Sequence, residues 1–221
     1  MDIGKNPILK VAESPTADLA AIDRTVVHRR QVDTKRRQIR DQRRTETAAE
    51  AIEGLDKDVE LFGFTKGQFS IIDLLRAVLD ITGPAALVIS TWTAANADVS
   101  TVLDFVGEGK VTGARWLVDF TFQRRSPALA QRIRQVFGEN AIRVAQNHAK
   151  FSLISNNDWR VVIRTSMNLN FNPRFEDYTI AHDPELFDFM AGIIDEIWTK
   201  QDPRMANERP QAIKDHFRDK I

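Results

Sequence analysis

With no cysteine among its 221 residues, the chain can form neither a disulfide nor a thiolate metal site. The fold must therefore be held by packing alone, which a domain of about 150 residues can supply. No apolar run reaches transmembrane length, and residues 1–10 lack the apolar centre of a signal peptide. These absences make the cytoplasm the expected compartment and exclude the membrane as an expected partner. Histidine is sparse: His28, His148, His182 and His216 lie far apart, with no His-x-x-x-His spacing. No zinc is expected on that pattern, and no cofactor is called for. There is no internal repeat.

Net charge is absent too, since 31 Lys and Arg balance 31 Asp and Glu, but the balance is uneven along the chain. Between Arg24 and Arg44 stand Arg29, Arg30, Lys35, Arg36, Arg37, Arg40, Arg43 and Arg44, opposed only by Asp33 and Asp41. The apolar residues of this stretch, Ile22, Val26, Val32 and Ile39, are too sparse to build a core. It reads as an exposed helix or a partly disordered arm. Such an arm either neutralises nucleic-acid phosphates, with salt-sensitive and sequence-independent binding, or serves as a solvated helix or a dock for an acidic protein.

Residues 46–66 read as a linker that begins Ala-rich and ends in Phe62, Gly63, Phe64 and Gly67. Three segments follow: a charged, largely helical arm and linker over 1–65, a main domain over 66–201, and a polar tail over 202–221. In the main domain, Ile71, Leu74, Leu75 and Val78 recur at helical spacing, and Gly83-Pro84 ends that helix. A short apolar strand over 85–90 comes next, then a helix through Phe105 and Val106 with Asp98 as its expected N-cap. A strand over 114–120 precedes a helix opened by Ser126-Pro127, with Leu129, Ile133 and Val136 on one face. A last strand over 176–181 leads to a helix capped by Asp183-Pro184. Strands alternating with helices predict an α/β fold, a mixed and mostly parallel sheet flanked by helices on both faces.

The chemistry concentrates in the second half. Residues 141–146 and 148–155 read as extended, residues 156–158 (Asn, Asn, Asp) as a turn, and 159–166 as the returning strand of a hairpin. Alternate side chains of a strand share a face, so His148 and Lys150 are expected to project together towards Ser166 and Asn168. That set suits a phosphate-sized anion. His-x-Lys, then Ser-x-Asn, then Glu176 resembles the motif of the phospholipase D superfamily, whose pattern is His-x-Lys, Gly-Ser-x-Asn and, in its nuclease branch, a later Glu. A single copy of the motif is present, as in the short nucleases of that superfamily. Two positions depart from the pattern: Ser155 stands where an Asp usually follows the Lys, and Thr165 stands where Gly usually precedes the Ser.

The resemblance implies metal-independent phosphodiester cleavage at a site shared by two chains, with DNA or RNA as substrate. His148 would attack phosphorus in one chain and act as the acid in the other, as a group titrating near neutrality can. Lys150 and Asn168 would hold the non-bridging oxygens, Ser166 would support that pocket, and Glu176 would orient the imidazole. The departures leave open a catalytically weakened scaffold that binds nucleic acid or assembles. Flanking loops supply candidate substrate contacts: Arg124 and Arg125, Asn170, Asn172 and Arg174, and Trp92. That Trp either stacks on a base or, as an isolated Trp ordinarily does, fills the core.

Overall fold

The computed structural model describes residues 29–30, 44–170 and 172–203. Lys35, Arg36, Arg37, Arg40 and Arg43 of the basic arm, and residues 204–221 of the tail, lie outside the described residues. One seven-stranded sheet organises the rest. Its strands are β1 (Glu60–Thr65), β2 (Ala85–Thr91), β3 (Val111–Asp119), β4 (Ile142–Ala145), β5 (Phe151–Ser155), β6 (Arg160–Thr165) and β7 (Glu176–His182), in the order β1-β7-β6-β5-β2-β3-β4. The sheet is mixed, as expected, but its pairing is not mostly parallel. Only β2 with β3 and β3 with β4 pair in parallel; the other four pairings are antiparallel. The reason is local: β5, β6 and β7 follow one another with no intervening helix, and such short connections allow only antiparallel neighbours.

Helices cover both faces. On one side, α2 (Ile71–Thr82) buries Ile71, Ile72, Leu74, Leu75, Val78 and Leu79. Its start is fixed by a capping box in which Ser70 Oγ accepts from Asp73 N at 3.3 Å and Asp73 Oδ2 accepts from Ser70 N at 2.8 Å. Gly83 ends it at φ +76°, a conformation that favours glycine. The same layer holds α3 (Asn96–Gly107), α4 (Phe122–Arg125) and α5 (Pro127–Phe137). The N-cap of α3 is Ala95 rather than Asp98, which lies in the first turn where its charge still meets the positive helix end. Ser126-Pro127 opens α5 as expected, without a side-chain capping bond.

The opposite face is closed by α6 (Pro184–Lys200), whose N-cap Asp183 accepts from Leu186 N at 3.0 Å. Phe187, Ile194 and Ile197 of α6 pack on Val88, Leu117, Leu153 and Val162. Arg30 forms an ion pair with Asp183, so one arginine of the arm is spent on the protein's own helix cap. None of the described helices is long and apolar enough to cross a membrane.

The stretch read as linker belongs to this body. After α1 (Ala48–Ala51), Ile52 and Leu55 are buried in the main core, and β1 pairs with β7 along its whole length as the sheet edge. Leu61, Gly63 and Thr65 point to the core while Phe62 and Phe64 point out. Gly63 is required there, because a Cβ at that position would lie 2.3 Å from Tyr178 Oη on the neighbouring strand.

Candidate active site

The site residues gather where the last residues of β2 and β6 meet the first residues of β5 and β7. His148 and Lys150 are not strand residues; they occupy the connection between β4 and β5, immediately ahead of Phe151. This segment is extended in sequence pattern, but its one backbone bond to a neighbouring strand is Thr165 N donating to Lys150 O at 3.3 Å, and strand β5 starts later than the alternation suggests. The connection is instead held by Asn147, a buried side chain that the sequence reading passed over. Its Nδ2 donates to Ser90 Oγ at 3.1 Å, Thr91 O at 3.2 Å and Leu117 O at 3.1 Å, while its Oδ1 accepts from Ala149 N at 3.0 Å. Ser90 Oγ in turn donates to Ala149 O at 2.9 Å. One amide thus ties β2 and β3 to the His-x-Lys segment, and four partners leave little freedom in where the imidazole stands.

Lys150 folds back on His148. Its Nζ lies 3.1 Å from His148 Nδ1, 3.5 Å from Nε2, and donates to His148 O at 2.8 Å. An ammonium only donates, so a ring nitrogen bonded to it is the acceptor. Burial pushes the Lys150 ammonium below its ordinary value, and the Glu176 carboxylate opposes that shift. His148 is exposed and stands against Trp92, with ring centroids 5.6 Å apart. The core-filling alternative for Trp92 is thereby overturned. At 38% exposure it lies at the surface, its carbonyl accepts from Arg125 at 2.8 Å, and the Arg125 guanidinium sits 4.7 Å above its ring. Arg125 also lies 3.8 Å from the buried carboxylate of Asp119.

Across from this pair, Ser166 follows β6 and Glu176 opens β7. Ser166 Oγ donates to Glu176 Oε2, Asn172 Nδ2 donates to Glu176 Oε1 at 3.2 Å, and Asp177 N donates to Ser166 Oγ at 3.0 Å. The carboxylate therefore bonds Ser166 and Asn172, not the imidazole, so the orienting bond to His148 implied for it is absent within one chain. Its link to the His-x-Lys segment is through the charge on Lys150. Thr165 fits where Gly was expected: its Oγ1 donates to Asp177 O at 2.6 Å and accepts from Met167 N at 3.0 Å, turning the chain into the Ser-x-Asn segment. Gly67, at φ +83°, lets Pro173 approach so closely that a Cβ would meet its Cα at 2.9 Å, and this presses the Asn172 loop towards Glu176.

Asn168 sits between Met167 and Leu169, both buried. Leu169 is clamped to the end of β2: its N donates to Thr91 Oγ1 and to Thr93 O, each at 3.2 Å, and its O accepts from Ala95 N at 2.7 Å. The Oδ1 atoms of Asn168 and Asn170 are buried without a partner among the described residues. Ser155, the other departure, is at the far end of β5, opposite Ala86 and Arg160 and away from the cluster. Arg124 and Arg174 are exposed, and Arg174 meets the cluster only through its backbone, its N donating to Asn172 Oδ1 at 3.3 Å. Arg29 and Arg44 are exposed likewise.

No family model matches the sequence, and no curated protein does. Solved structures match over 64% to 70% of the chain. Nuc from Salmonella typhimurium, described as a phospholipase D family member, is 14% identical, with a TM-score of 0.46 over 64% of this chain and 95% of its own. Polyphosphate kinase from Porphyromonas gingivalis is 12% identical, with a TM-score of 0.51 over 70% of this chain and 29% of its own. Over the matched part the chain shares its fold with that kinase. NucT from Helicobacter pylori, 11% identical, has a TM-score of 0.48 over 64% of this chain and 98% of its own. The fold accounts for where the cluster sits, at one end of the central strands; its chemistry rests on the side chains just described.

Proposed function

We propose that the chain is a phosphodiesterase of the nuclease kind, cleaving DNA or RNA without a metal through a covalent phosphohistidine, with two copies of the chain completing each site. One observation carries this reading: Lys150 Nζ stands 3.1 Å from an exposed imidazole, opposite the Ser166–Glu176 pair. Phosphoryl transfer needs a nucleophile, an acid for the leaving oxygen and fixed positive donors for the non-bridging oxygens. Among the described residues a single chain offers one histidine there. The second role falls to His148 of another copy, brought in by a two-fold axis.

In the first step a neutral imidazole nitrogen of His148 attacks phosphorus, a P–N bond forms, and the P–O bond to the leaving sugar breaks. The leaving oxygen takes a proton from the second copy's imidazolium. Water then attacks phosphorus, gives a proton to that same imidazole, and the P–N bond breaks, restoring both histidines. Lys150 faces a ring nitrogen while no phosphate is bound. On phosphate binding it turns to the non-bridging oxygens and frees that nitrogen. Asn168, whose Oδ1 is buried without a partner among the described residues, would turn its NH2 to the same oxygens.

The test is hydrolysis of labelled single-stranded and duplex DNA and RNA in excess chelator, with His148→Ala beside the intact chain. Turnover that falls at least about 10²-fold to 10⁴-fold in the variant is expected, since nucleophile and acid are lost together. An intact chain that binds these polymers without cleaving any of them is instead a binding module on the same scaffold.

A further inference from the structure

Three phenylalanines beside the site are left in solvent. Phe62, Phe64 and Phe175 are 62%, 56% and 69% exposed, and they belong to neither hydrophobic cluster. They nevertheless contact one another: Phe64 and Phe175 stack at 4.9 Å with ring planes 15° apart, and Phe62 meets Phe64 edge-on at 5.0 Å. Strand register fixes their place. Phe64 is opposite Asp177 and Phe62 is opposite Thr179 on β7, while Thr179 is opposite Arg164 on β6. Phe62, Thr179 and Arg164 therefore form one row across the sheet, on the face that α6 covers farther along. Phe175 directly precedes Glu176, and Arg164 directly precedes Thr165 and Ser166.

The surroundings are cationic. Arg164, Arg174 and Lys66 are exposed, and none of their side chains has a hydrogen-bond or ion-pair partner among the described residues. The acids nearby are Asp177, opposite Phe64, and Glu60, two residues before Phe62 on the same face of β1. An aromatic patch meant for another protein surface would desolvate these three cations without pairing them, which is costly. A polyanion with flat apolar faces satisfies both features at once. Single-stranded nucleic acid offers such faces, whereas a duplex keeps its bases stacked on each other and presents only its backbone.

We infer that Phe175, Phe64 and Phe62 form a base-stacking platform that binds single-stranded nucleic acid next to the scissile phosphate, with Arg164, Arg174 and Lys66 holding the flanking phosphates. The inference rests on the phosphodiesterase reading for its substrate class and adds the strand preference and the residues that set it.

The experiment separates the two. Binding is read by fluorescence anisotropy with His148→Ala protein on a labelled single strand, the matching duplex, and an abasic sugar-phosphate strand of equal length and charge. The expected result is that Phe175→Ala and Phe64→Ala each weaken single-strand binding by about 5-fold to 150-fold, the range for one lost base–aromatic stack. Binding of the abasic strand stays unchanged, and Phe175→Trp restores the single-strand affinity. In the otherwise intact chain, Phe175→Ala lowers turnover of the single strand more than that of the abasic strand. Equal losses on single and abasic strands, or no loss on either, overturn the platform. So does a shift from dimer to monomer by light scattering in the Phe variants, which makes the patch a self-association surface. An intact chain that shows the binding contrast yet hydrolyses neither strand keeps the platform and overturns the nuclease reading alone.

Discussion

Lys150 is the residue on which the environment acts most clearly. Burial disfavours its ammonium, so it loses its proton at a pH below the ordinary lysine value of 10.5, and the nearby Glu176 carboxylate limits the fall. If the ammonium is needed to hold phosphate, activity declines on the alkaline side earlier than an exposed lysine would cause. Glu176→Gln removes the opposing charge and is expected to move that decline to lower pH still, while Lys150→Arg moves it up, a guanidinium staying charged throughout. A pH–rate profile of the three proteins checks this; a decline unmoved by either change shows that Lys150 does not set it. The His-x-Lys and Ser-x-Asn residues were legible as letters because the chemistry needs those side-chain types. Asn147 was not, since its importance lies in four bonds to partners up to 57 positions away, and no local pattern encodes them. The same holds for Glu176: sequence supplied the carboxylate but not its partners within one chain, Ser166 and Asn172.

At the level of elements, the helices were the readable part. Apolar spacing located α2, α5 and α6, and Gly83 or Pro marked their ends, because helix signals are contained within a few turns. Strand β1 was missed for a physical reason. Its large side chains, Phe62 and Phe64, face solvent while Gly63 faces the core, which inverts the expected alternation and resembles an apolar linker. The pairing of the sheet was misjudged because alternation of strand and helix in the first half was extended to the hairpins of the second. Since Tyr178 fills the space above Gly63, Gly63→Ala is expected to destabilise the fold by about 1–3 kcal/mol through overpacking. Urea unfolding measures it. A loss near zero would mean that the β1 edge yields without disturbing Tyr178.

For the whole molecule the question is how many chains make one active unit. Among the described residues a single chain presents one nucleophile and no second imidazole in its cluster: His182 lies at the far end of β7, where its Nδ1 accepts from Arg160 N at 3.1 Å and its ring meets Trp159 edge-on. Burial pushes the His182 imidazolium down, and Lys57 adds to that shift, so it serves as a neutral structural acceptor. The two-histidine mechanism thus requires association, and association has a quantitative signature. If both histidines of a shared site are essential, intact and His148→Ala chains unfolded, mixed in equal amounts and refolded together pair at random, and only pairs of two intact chains turn over. Activity per total protein then falls to about a quarter of the intact value, because two independent draws must both succeed. A site complete within one chain falls only to about a half, since each intact chain works whatever its neighbour. Light scattering on the same mixture shows whether pairs exist at all. A monomer that retains full turnover would require both the nucleophile and the acid to come from groups within one chain, and would remove the second copy's imidazole from the chemistry.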